Sequence, residues 1–371
     1  MFPYDLAAHP FFTPWTDPPS GKVSYILTER VAPLQKSFYF VNTSLSPDGN
    51  WLWFEAAHPP APVKYLAAVC LDPAKPDIRL FPQATISAET PVIDAAGGVY
   101  FVMSERSPDI WRLDIEGGLE KIFTLPQDFV HRRLIQRMGT HLTLSADGSH
   151  LLFDGKVGNV WYVATVDLRS GEFRIIKEFS RHYNHAQFSP VDPALFSIAQ
   201  DHWRDPYTGK QNGYDLRIWL MGTDGERFEP AEPTSFHSPA QKGNEVSHEW
   251  WADDGTLCWI RYRSGCFEWD RETGKIRRVW RRPVCHAHCD PTRRYWVCDQ
   301  SPYAWPKPCE VVLFDRENRS ESRIVSAMPA PEFPRATYHI DPHPRFIGEG
   351  RRIVYTTTVR GNVDLAISVC S

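Results

Sequence analysis

The sequence predicts an all-β fold, a seven-bladed β-propeller of four-stranded antiparallel blades closed by an N-terminal strand. Three observations carry this. Short runs of alternating apolar residues, separated by Gly, Pro and Asp clusters, fill the chain. One pattern recurs seven times, beginning at Asn42, Thr90, His141, His185, His248, His286 and His343. The last copy, ending in "VDLAISVCS", is one strand short.

Each copy opens with an apolar run and reaches a turn position seven residues on, at Gly49, Gly97, Gly148, Asp192, Gly255, Arg293 and Gly350. "HLTLSADGSHLLF" and "HEWWADDGTLCWI" show the pattern most plainly. Successive copies start 38 to 63 residues apart, a period of propeller blades. Two more strand-like runs follow the opening hairpin, "WYVATVDLRSG" and "EFRIIKEF" in the third unit, "CFEWDRETG" and "KIRRVWRR" in the fifth. The N-terminal run "KVSYILTE" is placed to supply the missing outer strand and hide the open edges. No linker divides the chain, so residues 1–371 form one domain.

Composition narrows the function. With 42% hydrophobic residues a large core can be buried, and a formal net charge of -4 gives no electrostatic footprint for nucleic acid. No apolar run approaches a membrane span, so no membrane partner is expected. The N-terminus lacks a basic start followed by an apolar stretch, and the eight cysteines form no CxxC pair. Both favour reduced thiols and a cytoplasmic location. The 14 Trp and 21 Phe serve chiefly as core, with sugar-stacking platforms as the sharper alternative for some of them.

The first strand of a blade is innermost, so the seven start positions converge on one mouth of the central channel. Five of the seven are histidine, drawn from consecutive blades, in a chain with only 14 histidines among 371 residues. A convergence of this kind reads as a functional ring. His248, His286 and His343, with His339 from "ATYHIDPHPRF", form a candidate site for a divalent metal, Mn or Zn. His288 and Cys289 are nearby alternates, and a thiolate ligand would favour zinc. No HExxH motif is present.

Loops between second and third strands emerge on the same face. The fourth unit has a long one, Ala199 to Trp219, carrying His202, Arg204, Tyr207 and Lys210. Arg106, Arg261, Arg263 and Arg360 follow second strands elsewhere. A cationic, histidine-lined mouth suits an acidic ligand, and Asn42, Arg106, Tyr207 and Arg217 are the expected substrate-binding residues.

"SFYFVNTSLSPDGNWLWF", "SHEWWADDG" and "DPHPRF" resemble segments of the oligogalacturonate lyases. The resemblance is diffuse and strongest at the inner strands. It implies a seven-bladed propeller that cleaves short uronate chains by β-elimination, with manganese at the channel mouth. It places metal-ligand histidines at His248 and His343 and the catalytic base at His185. The sequence departs from the family at Asp341 and Tyr338, where ligands are expected, and at Tyr162, where a catalytic arginine is expected. "YHIDPHPRF" and "CHAHCDP" are also similar to the propeller-type ulvan lyases, which combine His, Tyr and Arg with a His/Cys zinc site.

Elimination from a uronate removes the proton at C5 and expels the oxygen at C4. It needs a cation against the carboxylate, a base, and an acid for the leaving oxygen. His185 or His141 is the expected base, and Arg204 or the metal the partner of the carboxylate; Tyr183, two residues before His185, is the candidate acid, with a place inside a blade, set by strand alternation, as the alternative. The expected partner is therefore an acidic, uronate-containing oligosaccharide. Two other classes compete. One is a non-catalytic propeller binding acidic glycans or a protein. The other is a hydrolase, for which Glu249, Asp201 and Asp205 are the nearby carboxylates and no GxSxG elbow exists.

Overall fold

A computed structural model describes residues 4–86, 88–214, 216–231, 246–300 and 309–370. Seven antiparallel sheets follow one another along the chain, each ordered from an inner to an outer strand. The third blade is typical, with strands Ile135–Leu144, His150–Val157, Val160–Asp167 and Phe173–Phe179. In the fifth, the strands are Val246–Trp251, Leu257–Arg261, Gly265–Trp269 and Ile276–Trp280. The expected third and fourth strands of both units are thus present.

Closure runs as the sequence predicts, with one addition. Val23–Leu27 pairs with Asp364–Val369 and completes the seventh blade. Phe12–Thr16 then pairs outside Val23–Leu27 and covers the new edge. Tying the chain's two ends into one sheet leaves the ring of blades without an open seam.

The core lies between neighbouring blades. Phe123, Leu142, Phe153 and Tyr162 pack one interface, and Leu152, Phe179, Tyr183 and Phe196 the next. Face-to-face sheets with alternating inward side chains explain why the apolar residues are spread evenly through the repeats. The turn positions are also explained. Gly49, Gly97, Gly148, Gly255 and Gly350 all have positive φ, and Arg293 adopts the same conformation in the sixth blade.

The first blade departs from expectation. Its inner strand is Leu34–Lys36, eight residues before Asn42, and it resumes only as a bridge between Leu45 and Leu52. The intervening segment turns into the channel. It is held by hydrogen bonds from Ser37 N to Thr356 Oγ1, from Phe38 N to Ser44 Oγ, and from the Arg345 guanidinium to the carbonyls of Phe40 and Val41.

Candidate active site

Four histidines are aimed at the channel by backbone conformation. His185, His248, His339 and His343 have φ of 55°, 49°, 51° and 45°, half of the eight non-glycine residues with positive φ among those described. The left-handed region costs an ordinary side chain energy, and such strain gathers at functional sites. His185 and His248 each sit where the pairing of inner and second strands slips, between Asn184 and Gln187 and between Ser247 and Trp250. The ring histidines of these blades therefore occupy bulges inside their strands, not strand starts. A bulge re-aims one side chain without ending the ladder.

Tyr39, carried in by the inserted segment of the first blade, stands at the centre. Its ring lies 4.8 Å from that of His141, stacked, and 4.8 Å from His343, edge-on, with His339 at 5.6 Å, His286 at 6.0 Å and His185 at 6.4 Å. The histidines form an arc around it, in two groups.

The first group is a hydrogen-bonded pair. His141 Nε2 and His185 Nδ1 are 2.8 Å apart, and His141 Nδ1 is 3.2 Å from the Glu89 carbonyl. A carbonyl can only accept, so His141 Nδ1 carries the proton in the neutral pair. His141 Nε2 then accepts from His185 Nδ1–H, which leaves His185 Nε2 as a bare acceptor. Burial, then the neighbouring His141 and Arg217, holds the His185 imidazole well below the ordinary histidine pKa. Burial brings His141 down to about 4.

The second group is a chain of neighbours. Ring centres are 4.2 Å apart from His248 to His286, 4.3 Å from His286 to His343, and 4.7 Å from His343 to His339. His286 Nδ1 is fixed by Asp299 Oδ2 at 2.8 Å and His248 Nδ1 by the Cys285 carbonyl at 2.5 Å, so both present Nε2 as a lone pair. Among the described residues, both ring nitrogens of fully buried His343 find no hydrogen-bond partner. Orphaned buried nitrogens beside pre-oriented imidazoles fit a divalent cation. Ligand atoms of His248, Cys285 and His286 lie within 4.8 Å of one another, as do those of His339, Asp341 and His343. The carboxylate of Asp341 is already forked by Arg335, and burial raises the Cys285 thiol well above its usual range. The imidazoles are therefore the better donors.

Two connected cavities share His185, His248 and Asp201. The larger, about 480 Å³, is lined by Tyr39, Lys64, Glu89, Arg137, His141 and His182, among others. The smaller, about 270 Å³, is lined by Arg217, Tyr214, Tyr262 and His202. Together they have the size of a small-ligand site. Asp201, Tyr214 and Tyr262 come from loops after second strands, the face expected.

Charges along the wall are mostly cancelled. Arg217, buried, is gripped by Asp201 at 3.1 Å and Glu249 at 3.4 Å. Lys36 and Lys64 share Glu55 and Glu89 at 2.6 to 3.1 Å, and Glu89 also reaches His339 Nδ1 at 3.2 Å.

Several expected site residues lie elsewhere. The Tyr183 ring stacks on Phe179 at 4.2 Å and meets Trp219 and Phe228 between blades, because the bulge at His185 breaks the alternation that would put both side chains on one face. Arg204 and Tyr207 belong to an exposed hairpin, Trp203–Arg204 with Gln211–Asn212, in which Arg204 bonds the Gly209 carbonyl; neither lines the cavities. Arg106 is exposed and outside the lining too. Asn42 donates to the carbonyls of Pro91 and Leu142, and Thr90 accepts from Val102 N, so both brace the backbone. His288 lies between Trp250 and Phe346, away from the arc, and Cys289 packs with Cys258 and Cys266 in the core. Tyr39, Arg137, Glu89, His182, Lys64, Tyr214 and Tyr262 are among the lining residues sequence reasoning missed. Arg137 had a legible signal, standing four residues before His141 on the same inner strand.

Fold and site together define a seven-bladed propeller with a histidine arc at one channel mouth. No family model and no curated protein matches the sequence. Solved structures do match. An oligogalacturonate lyase in complex with manganese is 19% identical, with 96% of both chains covered and a TM-score of 0.74. An oligogalacturonate lyase from Vibrio parahaemolyticus is 16% identical over 97% of each chain, with a TM-score of 0.77. Virginiamycin B lyase from Staphylococcus aureus is 12% identical, covering 92% of this chain and 97% of its own, with a TM-score of 0.56. At these identities the likeness is one of fold.

Proposed function

We propose that this protein is a carbon–oxygen lyase that cleaves uronate-containing oligosaccharides by β-elimination. The observation that carries the reading is the His141–His185 pair, which leaves His185 Nε2 as an acceptor at the junction of two cavities. Two of the similar structures are oligogalacturonate lyases, which supports the substrate class.

In this mechanism His185 Nε2 takes the proton at C5. The C5–H electron pair becomes the C4–C5 double bond, and the C4–O bond breaks with its electrons leaving on oxygen. That oxygen is protonated from the open cavity. The products are a new reducing end and an unsaturated uronate. A histidine held neutral by burial is ready to accept a proton across ordinary working pH. His286 and His343, flanked by His248 and His339, would hold a divalent metal, manganese or zinc. Bound there, it would supply Lewis-acid charge against developing negative charge on the sugar. Asp299 and the Cys285 carbonyl keep two of these imidazoles oriented.

A glycosidase reading is disfavoured because Asp201 and Glu249 both grip Arg217 and are not free as an acid–base pair. The test is a panel of uronate oligosaccharides followed by ultraviolet absorbance of the unsaturated product. Absorbance growth with at least one substrate is expected. Binding without absorbance growth across the panel would convert the reading to a glycan-binding propeller.

A further inference from the structure

The elimination needs a fixed positive charge against the substrate carboxylate, and the cavity wall offers few. Arg217 is compensated by two carboxylates. Lys64 lies against Glu55 at 2.7 Å and Glu89 at 2.6 Å. Arg204 and Arg106 are outside the lining. Tyr162, where the family resemblance puts an arginine, is buried against Phe129 and Phe153, its hydroxyl toward the Met138 sulfur at 3.8 Å.

Arg137 differs from all of these. It is half-buried on the inner strand of the third blade and lines the larger cavity with His141, His182 and His185. Its backbone pairs in the ladder opposite Lys156, but its guanidinium makes no hydrogen bond or ion pair with any described residue. Its charge is felt by both His141 and His182. The carboxylate of Asp154, which also feels it, is occupied by Thr140 and the Ala186 amide. A guanidinium removed from much of its water and given no partner among the described residues is poised for an anion that arrives with the ligand.

We infer that Arg137 is the residue that pairs with the substrate's carboxylate, and that it sets the preference of this site for uronates over neutral sugars. The inference rests on the lyase reading only for its kinetic test. A guanidinium presents a flat fork to a carboxylate, whereas an ammonium offers a point charge, so lysine replaces it incompletely.

The experiment compares wild type, Arg137→Met and Arg137→Lys in two assays. The first is turnover of an oligogalacturonate and of its methyl ester, whose C5 proton is acidic without a charged partner. Arg137→Met is expected to lose about 10²–10³-fold in kcat/KM on the acid and less than about threefold on the ester, with Arg137→Lys between. The second is calorimetric binding of galacturonate and galactose. Wild type is expected to prefer the acid and Arg137→Met to lose that preference, with an unchanged melting temperature. Equal losses on acid and ester, or unaltered acid turnover with the preference retained, would overturn the inference and leave the lyase reading standing. Binding preference through Arg137 with no turnover of either substrate would do the reverse. A wild type that neither turns over nor prefers the acid would remove both.

Discussion

Removing His141 tests the hydrogen-bonded pair more sharply than removing His185 alone. In the structure His141 acts through its partner. Its Nε2 accepts from His185 Nδ1–H while its own Nδ1–H is spent on the Glu89 carbonyl. His141→Ala removes one hydrogen bond that fixes the His185 tautomer and ring angle. Such a bond is worth about 0.5–1.5 kcal/mol net, and 1.36 kcal/mol is tenfold in rate, so elimination should slow by roughly two- to tenfold. His185→Ala removes the base itself and should cost about 10²–10⁴. Because one residue acts through the other, the double variant should be no slower than His185→Ala. The assay is initial-rate absorbance of the unsaturated product for the four proteins, with melting curves to confirm folding. Multiplying losses in the double variant would refute a shared role. Near-normal elimination by His185→Ala with collapse in His141→Ala would move the base to the third blade.

The purified protein should carry about one Mn or Zn per chain by elemental analysis, and His343→Ala should lower that occupancy by at least tenfold at equal free metal, since outer partners alone tune affinity by 10–100-fold; a metal-free protein that takes up none on soaking would oppose the site. Stability of the metal-free protein should fall on acidification. His141 has a folded pKa of about 4 against an unfolded value near 6.5, so its contribution is fully present above about pH 6.5 and lost as pH falls toward 4, about 3 kcal/mol for this residue alone; denaturant midpoints flat from pH 7 to 4 would contradict the burial argument. Arg204→Ala should change kcat/KM by less than about twofold, because the side chain is exposed and outside both cavities; a large kinetic loss would bring the hairpin back into the site.

The period of the inner hairpins was enough to read the blade count, the turn glycines, the N-terminal closure and the histidine arc. What was hidden depends on contacts distant in sequence or on breaks in strand alternation. "SFYFVNT" reads as a plain apolar strand, and nothing local shows that it enters the channel, because its anchors are Thr356 and Arg345 at the other end of the chain. Tyr183 packs inside the blades, the alternative its strand position left open, and His185 in the left-handed region breaks the period-two ladder that would have put the two side chains on one face. Arg204 drew attention by lying in a long loop near a functional face. The hairpin that loop forms points the arginine at its own backbone. Charge compensation was equally invisible, since Arg217 and Arg137 look alike in sequence and differ only in what surrounds them.

The most direct test of the account is the pH dependence of elimination on an oligogalacturonate, measured as absorbance of the unsaturated product for wild type and His185→Ala. The base works deprotonated, and burial together with His141 and Arg217 lowers its pKa. Wild-type kcat/KM should therefore rise with pH through an inflection below 6.5 and be flat above it. His185→Ala should lose about 10²–10⁴ of the plateau rate together with that inflection. A wild-type inflection that survives in His185→Ala with little loss of rate would contradict the claim that this imidazole takes the C5 proton.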